Sequence, residues 1–210
     1  MKRSILFLFI AVIAVVLSAC GGNEEEQQDN TSEDNQSQEE QGNDTESEAA
    51  DDEQTDNATE EEEVLVSLND TEGNVVATAT LVKGDTGVDI TLEGTDLPTG
   101  EHGFHIHETG TCEAPDFKSA GGHFNPTDAN HGFDDPEGPH AGDLPNIKVA
   151  EDGTVNEQVT AEMVTLEKGQ ENSLYKEGGT ALMIHSKADD NKSQPSGDAG
   201  ERIACGVIGK

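Results

Sequence analysis

The stretch VLVSLNDTEGNVVATATLVKGDTGVDITL, residues 64–92, decides the fold. Apolar and polar residues alternate through Val64 to Leu68, Val75 to Leu81 and Val88 to Leu92, with turn signals at Gly73 and Asn74 and between Gly84 and Gly87. A period of two is that of a strand with one face turned inward. Outward from this stretch, further strand candidates are His102 to Glu108, Ile147 to Ala150, Thr154 to Val164, Thr180 to His185 and Ile203 to Ile208, with another turn at Gly100. No segment carries sustained helical periodicity. Eight short strands at modest spacing predict an all-β antiparallel sandwich or barrel. Two long irregular stretches, residues 109–145 and 186–201, interrupt it, and loops of that length in a compact domain are usually functional.

Upstream, the composition changes twice. Residues 1–20 carry Lys2 and Arg3, an apolar run from Ile5 to Leu17, then Ser18, Ala19 and Cys20. That is the layout of a secretion signal, and the run is shorter than the roughly 20 residues a membrane-spanning helix needs. The tetrad Leu17-Ser-Ala-Cys20 resembles a bacterial lipobox, which implies acylation of Cys20 and anchoring to the outer face of the cell membrane. More than one acyl chain suffices for stable anchoring where a single chain binds only marginally. The alternative is an ordinary cleaved signal with a coincidental cysteine.

Residues 21–63 hold nineteen Asp and Glu, no Lys or Arg and no aromatic residue. Such a segment cannot bury enough apolar surface to offset its ordering entropy, so an acidic disordered tether is expected. The rival reading is a tail that binds cations or basic partners. Residues 64–210 are the part expected to fold as one domain. They carry nine Lys and Arg against twenty-six Asp and Glu, a balance that argues against nucleic acid as a partner. If Cys20 carries lipid, Cys112 and Cys205 remain as an even pair in an oxidising compartment, so a disulfide is expected, two free thiols being the alternative.

All seven histidines fall between His102 and His185. His105 and His107 flank Ile106 on a strand candidate, and side chains two apart on a strand share a face, so the two imidazoles converge. His123, His131, His140 and Asp143 follow in the first irregular stretch; three imidazoles and a carboxylate suit tetrahedral zinc. His185, at the end of a distant strand candidate, makes a nitrogen-rich set with the first pair, suited to copper. Ligand chemistry alone leaves the division between the two sites open.

Five ordered blocks sharpen this. Gly103-Phe-His-Ile-His-Glu108, Gly121-Gly-His-Phe-Asn-Pro126, His140-Ala-Gly-Asp143, His185-Ser-Lys-Ala-Asp-Asp190 and Gly200-Glu-Arg-Ile-Ala-Cys-Gly-Val-Ile-Gly209 resemble, in order, the signature blocks of copper/zinc superoxide dismutases. The resemblance covers residues 64–210 and implies an eight-stranded antiparallel Greek-key barrel or sandwich. It implies copper on His105, His107, His123 and His185, and zinc on His123, His131, His140 and Asp143, with His123 bridging. It implies a Cys112–Cys205 disulfide, Arg202 beside the copper, and Asp189 accepting from both His105 and His131. His102 then has no vacancy to fill and is expected to be structural.

The implied reaction is dismutation of superoxide, a small anion, to oxygen and hydrogen peroxide. His123 would handle the proton and Arg202 would hold the anion. A homodimer would follow from family analogy alone. The chain departs from the family in a longer stretch between Cys112 and His123 than its most compact members have, and a shorter segment from His185 to Arg202 than many have. Lys187 and Lys192 face Asp189, Asp190, Asp198 and Glu201 in that segment, which does not favour strong steering of anions. The rival function is a non-enzymatic lipoprotein that buffers zinc or copper; a complete copper set argues against it.

Overall fold

The computed structural model describes residues 63–209; the expected secretion leader of residues 1–20 with Cys20, and residues 21–62 of the expected acidic tether, lie outside the described residues. Among the described residues, no helix is long and apolar enough to cross a membrane. The three alternating runs at 64–92 form β1 (Val64–Asp70), β2 (Val75–Lys83) and β3 (Val88–Gly94), paired antiparallel in sequence. On β3, Val88, Ile90 and Leu92 are buried while Asp89 and Thr91 are half-buried, which is the alternation read from the sequence.

β4 (Gly100–His102), β5 (Phe104–His107), β6 (Ile147–Val149), β7 (Val155–Ala161), β8 (Thr180–His185) and β9 (Arg202–Ile208) follow. One seven-stranded sheet has the order β5-β8-β9-β1-β2-β3-β7, and β4 and β6 form a second ladder. β4 leads into β5 at one edge of the large sheet and β6 lies against β7 at the other, so the sheets curl round one core. Leu68, Leu81, Ile90, Phe104, Ile106, Leu182 and Ile184 fill it, all fully buried. Connections that cross the sheet between β3 and β5, and between β7 and β8, give the expected all-β architecture.

The sequence reading and the structure differ in three places. The run His102 to Glu108 is two strands, not one. His102 pairs with Ile147 in the small ladder, whereas Gly103 bonds to the end of β8, its N–H donating to Lys187 O at 2.8 Å and its carbonyl accepting from His185 N at 2.9 Å. The chain changes partners at that residue. Secondly, the strand expected through Val164 ends at Ala161, and a third irregular stretch, residues 162–179, is anchored by buried Leu174. Its backbone closes on itself, Leu174 N donating to Thr165 O at 2.9 Å. Thirdly, one 3-10 turn, Lys118–Ala120, lies within the first long loop.

Cys112 and Cys205 form the expected disulfide, with Cα atoms 5.7 Å apart and a sequence separation of 93. It sits in a small second cluster with Phe117, Ala120, Ala181 and Met183, which fastens the start of the first long loop against β8 and β9.

Candidate metal centre

β5 is buried on both faces, and its alternation separates two kinds of side chain. Phe104 and Ile106 enter the core, so His105 and His107 share the opposite face. The first long loop returns along the free edge of β5 and bonds to it as an irregular strand would. Glu108 N donates to Gly122 O at 3.0 Å, while Phe124 N donates to Ile106 O, Ile106 N to Gly142 O and Gly142 N to Phe124 O, each at 2.8 Å. This pairing sets His123 opposite His107 and Asp143 opposite His105. Residues twenty positions apart in a loop thus arrive beside a strand through backbone bonds alone.

From the other edge of β5, β8 brings His185. An irregularity between Ile184 and His185 sets Arg202 opposite His185, whereas Ala204 pairs with Ile184, so Ile203 is extra on β9. Bulges of this kind re-aim side chains, and this one turns Arg202 toward the histidines. The Arg202 guanidinium is held by carbonyls, Nη1 donating to Phe117 O at 2.7 Å and Nη2 to Gly121 O at 2.6 Å. His107 Nδ1 lies 3.1 Å from the same Gly121 oxygen, so cation and imidazole share an acceptor.

Two groups result whose ligand atoms lie close enough to hold a metal ion: His105, His107, His123 and His185, and His123, His131, His140 and Asp143. Within each group these atoms lie within 4.8 Å of one another, and His123 alone belongs to both. Asp143 organises the second group. Its Oδ1 lies 2.7 Å from His123 Nδ1, 3.1 Å from His131 Nδ1 and 3.2 Å from His140 Nδ1, and its Oδ2 accepts from Gly132 N at 2.8 Å and His140 N at 2.9 Å. Asp189 joins the groups from behind, 2.6 Å from His105 Nε2 and 3.0 Å from His131 Nε2.

The electrostatics sort the groups. Burial holds His105, His107, His123 and His185 below the ordinary histidine range, His123 at about 4 and His185 at about 3, with neighbouring imidazoles adding to the effect. These rings are neutral at pH 7 and keep a lone pair for a metal. At His131 burial also opposes charging, but the Asp143 and Asp189 carboxylates on either side outweigh it and raise the ring to about 9. Both carboxylates stay ionised far below their usual range despite burial, because ring and backbone N–H groups converge on them.

The structure brings every sequence-predicted ligand into one of these groups, with Asp189 behind them and Arg202 alongside. His102 stays out: its Nδ1 lies 2.8 Å from His185 O and its Nε2 2.7 Å from Pro98 O, a structural tie between the turn before β4 and the end of β8. Sequence reasoning did not find the backbone carbonyls of Phe117 and Gly121, or the carboxamides of Asn146 and Gln194. Asn146 exchanges two hydrogen bonds with the backbone of Asp189, and Gln194 two with that of His131. No residue type announces a carbonyl, and the amides act only once distant loops have met.

Residues 71–208 match the family described as copper/zinc superoxide dismutase (SODC). The chain is 57% identical over 142 residues to superoxide dismutase (Cu-Zn) 2 of Aquifex aeolicus, covering 67% of this chain and 83% of that protein. A crystal structure of a SOD-like protein from Bacillus subtilis is similar at a TM-score of 0.67 and 44% identity, covering 69% of this chain and 97% of that one. The Cu/Zn superoxide dismutase from Brucella abortus is similar at a TM-score of 0.57 and 32% identity, covering 70% of this chain and 99% of that one. The barrel, its histidine groups and these similarities agree: the chain belongs to the copper/zinc superoxide dismutase family.

Proposed function

We propose that the chain dismutates superoxide outside the cell, with copper held by His105, His107, His123 and His185, zinc held by His123, His131, His140 and Asp143, and His123 bridging the two. One observation carries the assignment. Among the described residues, the buried side-chain nitrogens and oxygens without a hydrogen-bond partner are His105 Nδ1, His107 Nε2, His123 Nε2, both ring nitrogens of His185 and His131 Nδ1, which faces the Asp143 carboxylate at 3.1 Å as an ion-pair contact and not in hydrogen-bond alignment. Buried polar atoms are almost always partnered, and each orphan costs on the order of 1–3 kcal/mol. All six belong to the two groups, as is expected of atoms whose partner is a metal. Neutral imidazoles alone suit copper, and three imidazoles with an ionised carboxylate suit zinc.

Two superoxide anions and two protons give one oxygen and one hydrogen peroxide, so the site must receive an anion and supply protons. Copper held by the first group would supply the one-electron exchange, and zinc held by the second, having no redox chemistry, would serve to order His123 and the loop. Arg202 receives the anion: its carbonyl partners leave guanidinium N–H donors free, and no carboxylate among the described residues forms an ion pair with it. His123 would carry the proton at Nε2, the nitrogen turned to the copper set, when that nitrogen is not bound to metal, while its Nδ1, beside Asp143 Oδ1, is the nitrogen zinc would take. The His107 bond to Gly121 O fixes its tautomer, leaving Nε2 as the ligand atom.

The test is superoxide dismutation by residues 64–210 loaded with copper and zinc, beside the His185→Ala variant and a zinc-only preparation. Activity in the first and its loss in the other two is the expected result; an inactive, fully loaded protein would sink the enzymatic reading. The leader ending in Cys20 supports anchoring by lipid to the outer face of the cell membrane, with residues 21–63 joining anchor to domain. Replacing Cys20 with serine should move the protein from the membrane fraction to the soluble one. Retention in the membrane fraction would overturn the anchor.

A further inference from the structure

His131 lies in a loop without regular structure, yet its ring must aim Nδ1 at the other zinc ligands. Its Nε2 is held by Asp189, which belongs to a different loop, so the aim is only as good as the register between the two loops. Two carboxamides set that register. Asn146, of the first loop, donates from Nδ2 to Asp189 O at 2.9 Å and accepts at Oδ1 from Asp189 N at 2.9 Å. Gln194, of the second loop, donates from Nε2 to His131 O at 2.9 Å and accepts at Oε1 from His131 N at 2.9 Å. Each amide bonds a backbone at two points, as a neighbouring strand would, and each grips one member of the Asp189–His131 pair. The adjacent backbones are pressed together: Asp134 N donates to Asn191 O at 3.0 Å, and at Gly132, with φ +97°, a Cβ would lie 2.0 Å from that oxygen.

We propose that Gln194 is a positioning residue for zinc, fixing the backbone of His131 so that the ring enters the site pre-aimed. This rests on the reading that His131 is a zinc ligand. The role needs a donor and an acceptor on one planar group at this length. Glutamate keeps the acceptor but sets a carboxylate against the His131 carbonyl and near Asp135 Oδ2, which lies 3.4 Å from Gln194 Nε2. Asparagine is one methylene short. Gln194 as a whole is an exposed residue that adds nothing to the apolar core, whereas groups that orient a metal ligand commonly change metal affinity by about 10–100-fold.

The experiment is competition for zinc, and for cobalt(II) followed by its visible absorption, between a chromophoric chelator and the full domain carrying Gln194→Ala, Gln194→Glu or no change. Zinc affinity should fall by about tenfold in Gln194→Ala and further in Gln194→Glu, with altered cobalt absorption. Copper affinity and the urea midpoint of the metal-free protein should stay within about twofold and within error. Equal zinc affinity in all three proteins overturns the proposal, and so does an equal loss for zinc and copper, which is what a general weakening of the fold would give. If the unchanged domain takes up no zinc, the ligand assignment falls and the proposal with it. Dismutase activity does not enter the readout, so a failure of the enzymatic reading is seen separately.

Discussion

His102 stands three residues from His105 and is as deeply buried as its neighbours, yet both of its ring nitrogens face backbone carbonyls. Truncating it would remove the ring N–H that one of these oxygens accepts from, together with a buried ring. We therefore expect His102→Ala to destabilise the metal-free protein by about 2–4 kcal/mol in urea unfolding while the ligand set stays complete. Unchanged stability would mean that water replaces the ring. Asp189→Asn tests a different kind of residue. One carboxylate accepts from His105 Nε2 and His131 Nε2, and an amide removes the charge both rings face and sets an NH2 group where one oxygen accepts from a ring or from Asn191 N. Zinc affinity should drop by about 10–100-fold, read by chelator competition; an unaltered affinity would remove Asp189 from the zinc site's support. At this scale the sequence was informative because ligand chemistry is written in side chains. His105, His107, His123, His131, His140, Asp143 and His185 could be picked out as candidates from type and order, and the structure gathers them into two groups, a division that only the resemblance implied. Of their supports, Asp189 and Arg202 could be named only through the family resemblance; carbonyls and carboxamides left no signal.

Strands β1 to β3 were legible because one face of each is buried and alternation survives into composition. The division between β4 and β5 was not, since Gly103 changes hydrogen-bond partners inside a run that reads as continuous, and the change depends on β6 and β8, far away in sequence. The first long loop is the element that builds the site, and it is fastened in two places. At its start, the disulfide closes a span of 93 positions, for which loop entropy gives about 4–5 kcal/mol. Replacing both cysteines with serine should lower unfolding stability by about that amount and lower catalytic efficiency as well, because Phe117 and Gly121, whose carbonyls hold Arg202, lie in the same loop. Stability lost without loss of activity would mean that the arginine does not rely on the loop. At its end, Gly142 lies so close to β5 that a Cβ would stand 2.3 Å from Ile106 O. Gly142→Ala should therefore cost about 1–3 kcal/mol and loosen zinc, since Asp143 follows it directly and His140 stands two residues before it. Chelator competition would detect the second effect.

Across the molecule, charge is the quantity most out of balance. Residues 64–210 carry nine Lys and Arg against twenty-six Asp and Glu, and the cation–carboxylate ion pairs of Lys or Arg among the described residues are Lys83–Glu167 and Lys118–Asp116, both between exposed side chains. Exposed pairs contribute little, whereas net charge of one sign opposes the compact state through self-repulsion. Raising ionic strength from about 0.01 to about 0.15 M shortens the screening length from roughly 30 to roughly 8 Å, which weakens the many repulsions more than the two pairs. The Tm of the metal-free domain should accordingly rise with sodium chloride by several degrees, about 1–2 kcal/mol for a chain of this size. Bound metals add positive charge at the centre of that field and stabilise by mass action, about 4 kcal/mol at a thousandfold excess over Kd. The metal-loaded domain should therefore melt higher and depend less on salt. Calorimetry of both forms at the two ionic strengths measures this directly. A metal-free Tm that falls as salt is added would mean that local pairing outweighs the net charge.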